Sequence, residues 1–274
     1  MAVIIVSSDS LPTAAQIAEE TARNIDYPCV GREILAETGE RYGVSEEKLR
    51  KTLDGLPSLF GVSARAHAHY LACIEEAVLA RLSEGEVVCH GLAAHLYVRG
   101  ISHAFRVRVL ADPSQLIRET VKEKAVSPEK ASKILKQEEA LRSRWSMEMY
   151  HSDETASSLY DLVVDLSRVG SKEAVRMIVE TSSHPRFRPT TYSVKCIGDL
   201  ALASRVRAAL LAHFPDVVVE ADGITVVVET AAVPREKGKT IEAVEKLARG
   251  VPGVGHLEVR VVNDMVRQAA ESFR

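Results

Sequence analysis

The chain has 274 residues, 46% of them hydrophobic and 27% charged, which suits a soluble globular protein of one large domain or two ordinary ones. A formal net charge of −3 excludes any overall pull towards nucleic acid or an anionic membrane, and no apolar run approaches the ~20 residues of a membrane span. No leader-like basic and apolar segment is visible, and Cys29, Cys73, Cys89 and Cys196 form no C-x-x-C pair, so a cytoplasmic protein with reduced, mostly buried thiols is expected.

The sequence opens with a short apolar strand, "AVIIV", a polar loop and the amphipathic helix "PTAAQIAEETARNI". Helical stretches follow at "GREILAETGERYG" and "SEEKLRKTL". The loop "DGLPSLFGVSARAHAHY" then leads to the helix "LACIEEAVLARLSEG". Two buried strands, "EVVCHG" and "FRVRVLA", precede a helix at "SQLIRETVKEK". A long helix starts behind Ser127 as N-cap and Pro128 in its first turn. The strand "YDLVVDLS" and the helix "SKEAVRMIVETS" close this part. Short apolar strands separated by helices predict a parallel sheet covered on both faces, hence an α/β domain over residues 1–181. The Pro-rich stretch 182–190 reads as a linker. Residues 191–274 then read as a small α+β module of order β-α-β-β-α-β with a C-terminal tail. Its elements are a strand "YSVKCI", a helix "LALASRVRAALLAHF", a hairpin turning at Ala221-Asp222-Gly223, a helix "TIEAVEKLARGV" and a last strand "HLEVRVV".

A loop between a first strand and a first helix is where backbone N–H groups and the helix N-terminus attract anions. Here that loop is Ser7-Ser8-Asp9-Ser10-Leu11-Pro12, without glycine or lysine. Asp9 is expected to cap the helix. His90 ends a central strand, beside the ligand crevice of such sheets. Arg106 and Arg108 alternate along a strand and share a face, which reads as a basic wall or a solvated face. His67, His69, His90, His95 and His103 lack metal-ligand spacing, so no metal site is expected. Asp161 and Asp165 form no acid/base couple, one of them serving as a cap or an arginine's partner. Trp145, Met147, Met149 and Tyr150 read as core or dimer packing. In the last module Tyr192 and Phe214 can serve the core, so the basic residues there lack the exposed aromatics of a nucleic-acid surface, and no nucleic-acid partner is expected.

Residues 1–180 resemble the cytidylate-kinase-like proteins, a P-loop branch of the nucleoside monophosphate kinases. The segments "IAEETARNIDYPCVGREIL", "EVVCHGLAAHL", "FRVRVLADPSQLIRETV", "SPEKASKILKQEEALRSRW" and "YDLVVDLSRVGSKEAVRMI" carry the likeness. It implies a three-layer P-loop-kinase-like fold and a phosphate or nucleotide site at Ser7, Ser8, Ser10, Thr13, Arg32, His90 and Arg118. Leu11, Thr13 and Ala14 stand where the family's loop glycines do, Gly31 replaces an aspartate, and His90 replaces an arginine. Arg32 and Glu33 are kept, and Glu139 stands for the lid aspartate beside Arg142 and Arg144. Residues 192–263 resemble a BON domain on "DGITVVVETAAV" and "AVEKLARGVPGVGHLEVRVV", which implies a ligand- or partner-binding module without catalytic residues.

Together these readings predict a pseudokinase-like module. It has a degenerate phosphate loop, binds a nucleotide or other anionic small molecule, and is fused to a BON-like partner domain. Two alternatives stay open. In an active monophosphate kinase using ATP and magnesium, Arg142 and Arg144 neutralise the transferring group. In a structural assembly protein both segments serve homo-oligomerisation.

Overall fold

The computed structural model describes residues 2–58 and 62–263; the tail expected after residue 263 and positions 59–61 of the expected loop lie outside them. In chain order the first elements are β1 (Val3–Ser8), α1 (Leu11–Ile25), β2 (Cys29–Val30), α2 (Ile34–Tyr42), α3 (Glu46–Asp54) and α4 (Ala64–Ser83). Next come β3 (Val88–His90), α5 (Ala94–Tyr97), β4 (Ala104–Leu110), α6 (Pro113–Lys124) and α7 (Pro128–Tyr150). The chain continues through β5 (Leu162–Asp165), α8 (Leu166–Val169), α9 (Ser171–Ser182) and α10 (Thr191–Leu211). It finishes with β6 (Val218–Asp222), β7 (Thr225–Ala232), α11 (Lys237–Ala248) and β8 (His256–Asn263).

These elements form two compact units. One gathers residues 2–37, Leu53–Leu56 and Glu84–Ser193; the other holds Thr38–Thr52, residues 57–58 and 62–83, and residues 194–263. The expected division is sequential, whereas packing groups residues 38–52 and 57–83 with the C-terminal segment.

The first unit is built on a five-stranded sheet of order β2-β3-β1-β4-β5, parallel throughout. Its central strand pairs Ile4 with Val88 on one side and with Phe105 on the other, and Val3–Val6 are wholly buried. A continuous apolar run in place of alternation is what a strand covered on both faces requires. Ser10 starts α1 by accepting the Thr13 N–H (3.3 Å), and Pro12 sits in the first turn, where its missing N–H costs nothing. Ile17, Ala18 and Ala22 then lie on one helix face and pack with Val175 and Ile178 of α9 on Ile4, Val6, Phe105 and Val107. Residues 182–190, expected as a linker, carry a 3-10 turn at Pro185–Phe187. Phe187 reaches into the core with its ring 4.6 Å from that of Phe105.

In the second unit α10 overturns one expectation. The stretch "YSVKCI", read as a strand, is the first part of a 21-residue helix. The order is therefore α-β-β-α-β from residue 191 onward, not β-α-β-β-α-β. The wider window explains it: Ile197, Ala201, Ser204, Ala208 and Leu211 are all buried at helical spacing, and that longer stripe decides the conformation. Tyr192, which from sequence could serve the core, is 76% exposed. A three-stranded sheet of order β6-β7-β8 completes this unit, antiparallel between β6 and β7 and parallel between β7 and β8. The hairpin turns at Gly223, whose φ of +60° favours glycine. Helix α4 begins at Ala64, within the expected loop, and its Ala72 and Cys73 join Leu202, Val206, Val226 and Val244 in the second core. Its Glu76, 2% exposed, is held by Arg41, Tyr42 and Arg205 (3.1, 3.1 and 3.4 Å).

Candidate functional site

Strands β1, β3 and β4 end on one edge of the parallel sheet, and the strand order reverses about β1, which opens a crevice there. A cavity of about 600 Å³ fills this position, lined by the loop after β1, the end of β3 and residues of α6 and α7.

The loop's polar groups turn on one another. The Ser10 N–H donates to Ser8 Oγ (3.2 Å) and the Thr13 N–H to Ser10 Oγ (3.3 Å), while the Ala14 N–H takes the Ser10 carbonyl (2.9 Å). Pro12 has no N–H to offer. Asp9 is not the helix cap; Ser10 is. The Asp9 carboxylate instead accepts from the Ala111 N–H and from Ser8 Oγ, both at 3.0 Å, tying the loop to the end of β4. The loop holds no glycine, the residue whose backbone can curl around phosphate, and no lysine.

The cavity's arginines are paired internally. Arg32 forks onto Asp54 (3.0 and 2.5 Å) and donates to the Gly91 carbonyl (3.0 Å). Arg142 forks onto Glu154 with Nε–Oε1 at 2.7 Å and Nη2–Oε2 at 2.6 Å, and its third donor takes the Leu53 carbonyl (2.7 Å). Such bidentate pairs are the strong form of the contact. Arg108, 5% exposed, donates to the Glu154 carbonyl (3.1 Å), which also accepts from the Tyr160 hydroxyl (2.7 Å). That hydroxyl lies 3.3 Å from Ser7 Oγ. Arg106 pairs with Asp161, and Asp165 caps α8 through the Ser167 N–H (2.9 Å). Arg106 and Arg108 thus make neither a basic wall nor a solvated face.

His95, on α5, is 3% exposed and its Nε2 has no hydrogen-bond partner among the described residues; the Glu154 carboxylate lies 4.0 Å away. Burial, reinforced by Arg142 and Arg108, pushes its pKa down to about 3, so the imidazole is neutral at physiological pH. Burial also lowers the His90 pKa, partly opposed by Glu33. Gly31 and His90 are coupled sterically. A Cβ on Gly31 would sit 2.6 Å from His90 Cε1 and 2.8 Å from Glu33 Oε2, so a larger residue at 31 and the His90 ring compete for the same space.

Of the residues singled out from sequence, Ser7, Ser8, Ser10, Arg32, His90 and Arg142 line the cavity, as does Glu139. Thr13, Arg118 and Arg144 do not: Thr13 Oγ1 bonds Ser10 Oγ (2.9 Å), Arg118 is exposed on α6, and Arg144 pairs with Glu148 (2.8 Å). Sequence reasoning passed over Asp54, Glu154 and Tyr160, and saw His95 only as a metal candidate. Glu154 lies in the unremarkable loop "HSDETASS", and only the fold brings it to Arg142. Trp145 and Met149 are at least half-buried, with the Arg142 guanidinium 4.7 Å from the Trp145 ring centre, whereas Met147 is exposed. Cys73 and Cys89 are buried, Cys29 and Cys196 half-buried, and all four are free. Among the described residues no helix is long and apolar enough to cross a membrane.

Residues 4–168 match the model of the cytidylate kinase-like family. An uncharacterized protein from Eubacterium ventriosum ATCC 27560 superposes with a TM-score of 0.50 at 16% identity, covering 67% of this chain and 100% of its own. Shikimate kinase from Bacteroides thetaiotaomicron gives 0.41 at 13% identity, over 66% of this chain and 97% of its own. Shikimate kinase from Acinetobacter baumannii, in complex with shikimate, gives 0.39 at 12%, over 66% and 93%. No curated protein matches the chain.

Proposed function

The chain belongs to the cytidylate kinase-like family, and from that premise we propose that it is a non-catalytic member, a regulatory module that binds a nucleotide or another small anionic ligand without transferring phosphate. One observation carries the reading: in the loop after β1 the Ser10 and Thr13 N–H groups are taken by the loop's own serine oxygens and Pro12 has none, which leaves the loop without a full N–H cradle for a triphosphate. Phosphoryl transfer depends almost wholly on positioning and charge neutralisation, and that loop is where the positioning would come from. A single anionic group, needing one guanidinium fork in place of a backbone cradle, is the ligand such a site retains. The second unit, with its BON-like hairpin and helix-to-strand ending, supplies a separate contact to a partner or ligand in the cytoplasm.

The test combines turnover and binding. Purified protein with ATP, magnesium and CMP is expected to form no ADP above the enzyme-free rate. Inorganic phosphate or CMP is expected to raise the melting temperature, because a ligand confined to the folded state stabilises it by ~2.7 kcal/mol at a hundredfold excess over its dissociation constant. Turnover would overturn the non-catalytic reading in favour of the kinase. A melting temperature indifferent to every anion would sink the binding role.

A further inference from the structure

Glu154 is an unusual lining residue for an anion site. Its carboxylate fills the fork of Arg142, a guanidinium lining the cavity, with two short charge-assisted bonds. Its main chain is pinned on both sides: the N–H donates to Ser146 Oγ (2.9 Å), and the carbonyl accepts from Arg108 and Tyr160. Only the side chain is free to turn. Next to it stands His95, buried, neutral and lacking a partner at Nε2, 4.0 Å from Glu154 Oε2. A buried polar atom without a partner costs free energy, so the floor holds an unmade hydrogen bond within one side-chain rotation of a ready acceptor.

We infer that Glu154 is a displaceable internal occupant of an anion subsite: an incoming phosphoryl or carboxylate group takes the Arg142 fork, and the released Glu154 carboxylate turns to accept the Nε2–H of His95. This rests on the anion-binding reading above and adds the device that sets its affinity and selectivity. The exchange replaces one anion by another on Arg142, and the buried carboxylate trades its charged partner for the neutral His95 N–H. It also selects. A ligand must present an anionic group shaped for a guanidinium fork to compete with a carboxylate already there, and neutral molecules cannot.

The experiment titrates inorganic phosphate and CMP calorimetrically into the full chain and its Glu154→Gln and Arg142→Met variants. Without a competing charge, Glu154→Gln is expected to bind roughly ten- to a hundredfold tighter, the range set by a hydrogen bond to a charged group. Arg142→Met is expected to abolish binding. In the wild-type protein with 15N-labelled histidine, saturating phosphate is expected to shift the His95 Nε2 resonance, identified by its absence in His95→Gln. Equal affinity of the wild type and Glu154→Gln, with binding lost in Arg142→Met, would leave the anion site standing and overturn the displacement. A His95 resonance unmoved at saturation would overturn its second half. Absence of binding to both proteins would sink the anion reading and this inference with it. Should Glu154→Gln fail to give a cooperative melt, the wild-type histidine spectrum decides alone.

Discussion

Replacing Arg142 by Met removes three donors at once, two from Glu154 and one from the Leu53 carbonyl, while an apolar stem stays beside Trp145. The Glu154 side chain is only 7% exposed, so its carboxylate is left inside without its charge partner. Breaking a buried pair from this side is expected to cost ~3 kcal/mol, the lower end of the usual range because Arg142 is itself one-third exposed. Glu154→Gln is gentler: the amide oxygen still accepts, and water reaches the guanidinium, for about 1 kcal/mol. In the double variant no charge is stranded, so its cost should be about 2 kcal/mol in place of the additive ~4, a coupling of about 2 kcal/mol. Trp145 is the single tryptophan and is fully buried in the first unit, so its fluorescence in urea follows the unfolding of that unit. The slope of stability against urea should be the same for all four proteins. Costs that add to within ~0.5 kcal/mol would refute the reasoning, because the two side chains would then be solvated independently.

Phe187→Ala should cost ~3 kcal/mol or more by the same assay, since it opens a void against Phe105 in the main core; a cost under ~1 kcal/mol would mean that residues 182–190 are a peripheral linker. Ser10→Ala should cost ~1 kcal/mol through loss of the α1 cap and Ser10→Gly only a few tenths, and a reversed order in the measured stabilities would argue against the cap. His95 makes the fold acid-sensitive. Its folded pKa of about 3 lies below the ordinary 6.5, so the unfolded chain binds the extra proton and stability falls as pH drops through 6.5. Between pH 7 and pH 5 that one group removes about 2 kcal/mol, and His95→Gln should lose correspondingly less over the same interval; parallel pH profiles would contradict it. Gly31→Ala should displace His90 and destabilise by ~1–3 kcal/mol, with His90→Gly restoring much of the loss, and a Gly31→Ala protein as stable as the wild type would show that the ring moves aside freely.

Much of the first unit was written locally. The run "VIIV" could only be a strand buried on both faces, Ser127-Pro128 began α7 where it was expected, and "SKEAVRMIVETS" is α9 residue for residue. Caps, proline and hydrophobic period act within a turn or two, and so a single sequence discloses them. The Ser7–Thr13 loop likewise disclosed that it holds no glycine, and no arrangement of neighbours gives a serine the freedom of a glycine. What lies beyond a few residues' reach was decided by tertiary packing. The stretch "YSVKCI", read as a strand, became helix because its continuation to Leu211 buries a long helical stripe. Residues 38–52 and 57–83 took their place with the C-terminal sheet, not with the kinase-like segment that encloses them in sequence. The site followed the same rule. Residue types named Arg32 and Arg142, but only the fold supplied Asp54 and Glu154 to occupy them and left His95 buried beside a carboxylate 59 positions away in sequence. Charge acts through space, over a few ångströms, and the chain alone does not say which charges will come that close.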